Sequence, residues 1–361
     1  MLNYVFETNE IMFSCSLPDV TVLSDADFVD LSLAINQSQV FASRYFVYNG
    51  KVSIDNISQI VEAHMIEHTT NLGVLTITAK AGGESVSFGC KVVFASRLVE
   101  HEDAAAWLSD NFLTSADFVR LSPDGFYSLN WVSLTGEAPN LVYYFTKYQD
   151  GRYSVVSNTV SSYTKVADDW QAFHYRFFVA DIVKTIAAQA LVDVKDVASF
   201  SIACGERRIT FFIDPALQDV IYFRFHNAFN VVEDFAVLAE VTSKNQVSAS
   251  MGAISHFNRQ YDFEVFKQFE CKTDALTVDE CRVIEQLLSS RSARIVTDPR
   301  GPKTFDTLPQ VLFTESSCEF SNSNEQLNSA SFTFRFADTY PRIEEINRAG
   351  IFNNVYNSIF S

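Results

Sequence analysis

The sequence predicts a β-rich α+β protein, a series of β-sandwich-like modules each with one flanking helix. Three observations carry this reading. Among 361 residues there are 33 Phe and 14 Tyr, against 3 Trp and 4 Met, and aromatic side chains fit the pleated, half-buried surface of a strand. Apolar and polar residues alternate over short runs, which is the period of a strand with one buried face. A strand–helix–strand–turn–strand order occurs twice in the first two thirds of the chain, a trace of modular construction.

The first module is expected at 1–98. Strands are predicted at Phe28–Ala34 and Val40–Val47, a helix at Ile57–His68, and strands at Val74–Ala79 and Ser85–Phe94. Gly82-Gly83-Glu84 between the last two is hairpin chemistry, because glycine accepts the positive φ that tight turns need. The second module, 105–232, repeats the order. Strands at Tyr127–Leu134 and Leu141–Tyr148 precede a helix at Ala180–Leu191 and strands at Val197–Ala203 and Arg208–Ile213. Laying Ile57 on Ile182 puts Val61 on Ile186 and Ile66 on Leu191, and the following strands then start two residues apart, a difference that a loop absorbs.

The third unit, 236–342, opens with strands at Val237–Val241 and Tyr261–Glu270. Thr277-Val-Asp-Glu280 then spells a capping box, in which the Thr hydroxyl and the Glu carboxylate satisfy two orphan amides reciprocally. Cys281, Ile284, Leu287 and Leu288 follow as one helical stripe to residue 289. Arg294-Ile-Val, the turn Asp298-Pro-Arg-Gly-Pro302 and Val311–Thr314 lead to the closing strand Ser331–Phe336. There Phe332, Phe334 and Phe336 fall on one face, with Thr333 and Arg335 on a wet one. The last segment, 343–361, holds Ile346, Ile351, Phe352, Val355, Tyr356, Ile359 and Phe360. It is expected to dock on the protein or on a neighbouring subunit.

Bulk properties narrow the function. The net charge is −17, spread as −6, −7 and −4 over residues 1–100, 101–235 and 236–361. Nucleic-acid binding needs clustered Lys or Arg, and Arg207-Arg208 is the only adjacent basic pair. No apolar run approaches the roughly 18 residues of a membrane span, and the start does not read as a signal peptide. The six cysteines form no C-x-x-C pair, so they read as buried thiols in a reducing compartment. The sequons at Asn36 and Asn56 read as chance matches.

One motif looks like chemistry. His64-Met-Ile-Glu67-His68 matches H-x-x-E-H, where i and i+4 histidines on a helix could hold zinc with the Glu as general base. The second module has Gln189, Val192 and Asp193 at those positions, so the helix also serves without them. A strand follows within six residues, and Glu137 is a candidate distant carboxylate only as any acid is. There is no G-x-S-x-G, phosphate-binding or dinucleotide-binding glycine motif. Asp168-Asp169 and Glu344-Glu345 are adjacent pairs whose members point to opposite faces of a strand. In Tyr222–Asn227, Tyr222, Arg224 and His226 share one face, either a polar contact surface or the wet side. No catalytic, cofactor-binding or metal residue is assigned, and no cofactor is expected.

The helix Leu276–Ser289 between strands, the polar stretch Ser316–Asn328 and the closing strand Phe332–Ala337 resemble the units of tail-tube-like and distal-tail proteins. The likeness of layout is to tail and baseplate structural proteins of tailed bacteriophages and prophages. It implies a non-enzymatic assembly subunit, symmetric with its own copies and contacting other structural subunits, made in the bacterial cytoplasm and placed in the virion. Edge strands would pair with neighbours. A second expectation is a carbohydrate- or protein-binding β-sandwich, for which Trp131, Tyr143, Tyr144 and Trp170 are candidate platforms. A remote third is a zinc-dependent hydrolase using His64, Glu67 and His68.

Overall fold

The computed structural model describes residues 2–5, 9–96, 103–134, 141–157, 170–217, 220–254, 257–298, 300, 304–320 and 327–337. The β-rich α+β architecture is present as expected. The apolar segment 343–361 lies outside the described residues.

The first module contains β1 (Leu2–Val5), β2 (Ile11–Phe13), β3 (Val20–Ser24), β4 (Phe28–Ile35), β5 (Ser38–Phe46), β6 (Lys51–Ile54), α1 (Ile57–Glu67), β7 (Leu72–Ala81) and β8 (Glu84–Val93). A five-stranded sheet, β2-β8-β7-β4-β5, faces a three-stranded one, β1-β3-β6. Strand β4 buries every second residue, Val29, Leu31, Leu33 and Ile35. These pack with Val20 and Val22, with Ile57, Val61 and Met65 of α1, and with Leu75 and Ile77. The hairpin between β7 and β8 turns on Gly82 and Gly83, at φ +57 and +88, a region closed to most other residues. Asn36 at φ 48 turns the β4–β5 hairpin, and its carboxamide oxygen accepts from the Val74 amide at 2.8 Å.

Helix α2 (Ala104–Asp110) leads into the second module. This comprises β9 (Phe118–Leu121), β10 (Phe126–Ser133), β11 (Leu141–Gln149), β12 (Arg152–Ser157), β13 (Gln171–Phe178), α3 (Val179–Ala190), β14 (Val197–Cys204) and β15 (Arg207–Ile213). Its five-stranded sheet runs β12-β11-β14-β15-β9, and β10 pairs with β13. The two modules therefore share one topology over eight elements. Counted from β2 in the first module and from β9 in the second, the last hairpin strand pairs in parallel with the first strand, β8 with β2 and β15 with β9. In each, the second and fifth strands pair antiparallel outside the main sheet, β3 with β6 and β10 with β13. This shifts the equivalence by one strand. Phe28–Ile35 corresponds to Leu141–Gln149, and Tyr127–Leu134 corresponds to Val20–Ser24.

The remaining elements are β16 (Ile221–His226), β17 (Val232–Val237), β18 (Ala239–Ile254), β19 (Phe257–Thr273), α4 (Val278–Ser289), β20 (Ala293–Ile295), β21 (Gln310–Glu319) and β22 (Ser329–Phe336). They make one seven-stranded sheet, β17-β16-β20-β21-β22-β19-β18. The expected division at 232–236 falls inside this sheet. Strand β16 pairs with β17 on one side and with β20 on the other. One apolar cluster runs unbroken from Tyr127, Phe200 and Phe211 of the second module to Phe223, Phe269, Phe332 and Phe334 of the large sheet. Helix α4 carries the capping box as read, with Thr277 and Glu280 bonded reciprocally. Strand β22 buries Thr333 as well as Phe332 and Phe334, because it lies between β19 and β21 inside the sheet. The wet face expected there is correspondingly narrow.

The first module meets the rest through a separate apolar joint of Phe13, Trp107 and Phe229, with ring centres 5.0–6.5 Å apart. Asn230 crosses it, donating to the carbonyls of Met65 and Thr70 at 3.2 and 3.0 Å.

Candidate functional site

Helix α1 turns Ile57, Val61 and Met65 to the core, which leaves Ala63, Glu67 and His68 exposed and His64 half-buried. The two imidazoles lie 4.1 Å apart, centre to centre, tilted by 36°. Nδ1 of His68 is 3.0 Å from the His64 carbonyl. Burial, followed by the neighbouring His68, lowers the pKa of His64 below its usual range. The pair lines a groove of about 500 Å³ with Glu67, Ile60, Ala63 and Ser38–Val40 of β5. Among the described residues no three His, Cys, Asp or Glu side chains converge as a metal site, and Glu137 lies outside those residues. Among the described residues, the third ligand that a zinc peptidase needs is therefore not assembled at this helix.

A second cluster was not singled out in the sequence. Glu233 is 1% exposed and accepts from four donors: the Ser115 amide and hydroxyl, the Tyr127 hydroxyl and the Asn227 amide. Burial still pushes its carboxyl above the usual range. Beside it, Arg224 Nε donates to Asp234 Oδ1 at 2.6 Å, and the Ser128 hydroxyl donates to Oδ2 at 2.5 Å. Ser128 thus donates to a carboxylate and not to a histidine, while His174 Nδ1 partners Asn130 Oδ1 at 2.9 Å. No nucleophile–histidine pair forms here. The network fastens β10 and β13 to β16 and β17. Its signal in the sequence is faint: single charges inside apolar strands, as in Val232-Glu-Asp-Phe and Tyr222-Phe-Arg-Phe.

Tyr222, Arg224 and His226 are accordingly neither a contact surface nor a wet face. Tyr222 stacks on Phe126 at 4.6 Å, and His226 meets Phe305 edge-on at 4.4 Å. Two of the four candidate glycan platforms are internal and two are half-buried. Trp131 is 2% exposed and stacked on Phe173, and Tyr143 is buried. Tyr144 lies under the Arg208 guanidinium and Trp170 under the Lys91 ammonium. Asp168-Asp169 and Glu344-Glu345 lie outside the described residues. Four of the six cysteines are buried. Burial pushes Cys90 and Cys281 up to about 11 and Cys271 up to about 12, so these thiols are poor nucleophiles.

The exposed apolar surface sits elsewhere, on sheet edges. Strand β5 ends the first sheet, with Phe46 82% and Tyr48 76% exposed at its end. Strand β12, its counterpart in the second module, ends the other, with Tyr153 66% and Val155 77% exposed. Tyr148 and Tyr153 pair there at 4.7 Å. The opposite edge of the second sheet is occupied. Strand β9 is tied to α4, where Arg120 grips Glu280 through two bonds of 2.7 and 2.8 Å.

The most prominent feature is a ribbon. Strands β18 and β19 pair over their whole lengths, but β22 joins β19 only from Gln268 to Lys272. Residues 245–254 and their partners thus continue with no third strand among the described residues, over about 33 Å at about 3.3 Å per residue. Between Asn245 and Tyr261 the sequence has one arginine and no acid, in a chain of net charge −17.

No family model matches the chain, and no curated protein matches it. No helix among the described residues is long and apolar enough to cross a membrane.

Proposed function

We propose that the protein is a non-enzymatic assembly subunit, a structural component of a bacteriophage or prophage tail or baseplate, working as a homo-oligomer that also contacts other structural subunits in the virion. The β18–β19 ribbon carries this reading. An isolated two-stranded hairpin is marginal in water, and along residues 245–254 and their partners no further strand pairs with either edge among the described residues, which makes both edges templates for another strand. A ribbon of that length is explained by what it meets on a neighbour. The acid-free stretch between Asn245 and Tyr261, at the ribbon's far end, lets that end approach an acidic copy with little repulsion. The open edges β5 and β12 offer two further places for strand addition.

A second reading, a glycan- or protein-binding module, draws support from the exposed Tyr148–Tyr153 pair. Size-exclusion chromatography with light scattering separates the two. A multimer supports assembly, whereas a strict monomer that binds glycans counts against it.

A further inference from the structure

The His64–His68 pair has a use that is independent of assembly. A carbonyl oxygen can only accept, so Nδ1 of His68, 3.0 Å from the His64 carbonyl, must be the protonated nitrogen. In the neutral ring Nε2 then carries the lone pair. Metal-binding histidines are commonly held this way, with the second ring nitrogen donating to a carbonyl that fixes tautomer and orientation. Residues four apart lie over one another on a helix. An ion with bonds of about 2.0–2.1 Å needs its two nitrogens about 3.3 Å apart in tetrahedral geometry. Ring centres 4.1 Å apart, tilted by 36°, bring the two imidazoles near enough for side-chain rotation to close both on one ion. The groove in front, about 500 Å³, is walled by Ser38 and Gln39 on one side and Glu67 on the other. It leaves room for the waters that complete the coordination, and Glu67 sets a negative charge beside the ion. The related helix α3 keeps the buried stripe Ile182 and Ile186 but has Gln189 and Asp193 at the matching positions, so the pair is a feature of the first module alone.

We propose that His64 and His68 form a two-imidazole chelate for one divalent transition-metal ion of the copper, nickel and zinc class, with water in the remaining positions. With no third protein ligand among the described residues, affinity follows the intrinsic order of these metals, copper first. Magnesium, which prefers oxygen ligands, is not taken up.

The test is calorimetric titration of the full chain at pH 7.5 with CuCl2, NiCl2, ZnCl2 and MgCl2, alongside His64→Gln, His68→Gln and the double variant. Copper paramagnetic resonance counts the coordinated nitrogens. The expected result is one equivalent bound by the wild type in the order copper over nickel and zinc, with two nitrogens coupled. Each single variant should weaken binding roughly tenfold or more, since each removes half of the chelate. Circular dichroism verifies that the variants remain folded. Equal binding by wild type and double variant overturns the proposal, whether both bind or neither does. So does uptake of magnesium as tight as that of nickel.

Discussion

Replacing Asp234 by Ala removes one half of an ion pair that water barely reaches. The side chain of Asp234 is 0% exposed and that of Arg224 7%. Alanine would leave the guanidinium without its Nε–Oδ1 bond of 2.6 Å and its Nη2–Oδ2 bond of 3.2 Å, and the Ser128 hydroxyl without its acceptor. Breaking a buried pair by deleting one partner costs about 3–5 kcal/mol, because the surviving charge stays desolvated. Truncating both partners removes that uncompensated charge. Arg224→Met with Asp234→Ala should therefore cost less than the two single changes together, with a coupling of about 2–3 kcal/mol. Urea unfolding followed by tryptophan fluorescence reads this, since Trp131 sits in the same continuous core. A loss below about 1 kcal/mol for Asp234→Ala, or strict additivity in the double variant, would refute the view that this network fastens the second module to the large sheet.

Other outcomes follow from single contacts. Phe334→Ala should cost about 3–5 kcal/mol in the same unfolding assay, because a fully buried ring leaves a cavity between Phe223 and Phe269. Thr277→Ala should cost about 1 kcal/mol by loss of one half of the capping box, whereas Thr277→Ser should be nearly silent. Burial lowers the pKa of His226 from its ordinary 6.5. The unfolded chain then binds more protons than the folded one between the lowered value and 6.5, so His226 stabilises the fold above that window. This contribution is lost as pH falls through the lowered value. The slope of unfolding midpoint against pH on the acid side of 6.5 should be shallower in His226→Gln, and an unchanged slope would count against the assignment.

Much of the architecture was legible because it depends on local pattern. Alternation at Phe28–Ile35 and at Phe332–Phe336, the glycine pair at 82–83 and the capping box at Thr277 each declare themselves within a few residues. The repeated order of elements shows in the helix and the hairpin after it, where spacing is tight. Which upstream strands correspond is not legible in the sequence, because loops of different length separate them and strand pairing is not local. The division near 232–236 looked plausible for the same reason. Only the pairing of Phe223–Phe225 with Ala293–Ile295 reveals that one sheet spans it. The Glu233–Asp234–Arg224 network stayed hidden, since Tyr127 and Ser128 stand 106 positions away from their carboxylate partners. Two of the aromatic candidates, Trp131 and Tyr143, are buried. A tryptophan such as Trp131 looks the same in sequence whether it serves as a platform or as core.

The reading as an assembly subunit stands or falls on the ribbon. Light scattering of the full chain should be compared with that of a variant in which residues 247–265 are replaced by an Asn-Gly hairpin turn, a sequence suited to closing two strands. The expectation is a closed multimer for the wild type, with a mass that is an integral multiple of the chain's. The shortened variant should be folded, with an unchanged circular dichroism signature per remaining residue, and mainly monomeric. A wild-type protein that stays strictly monomeric at tens of micromolar, or a shortened variant that assembles to the same mass, would contradict the account.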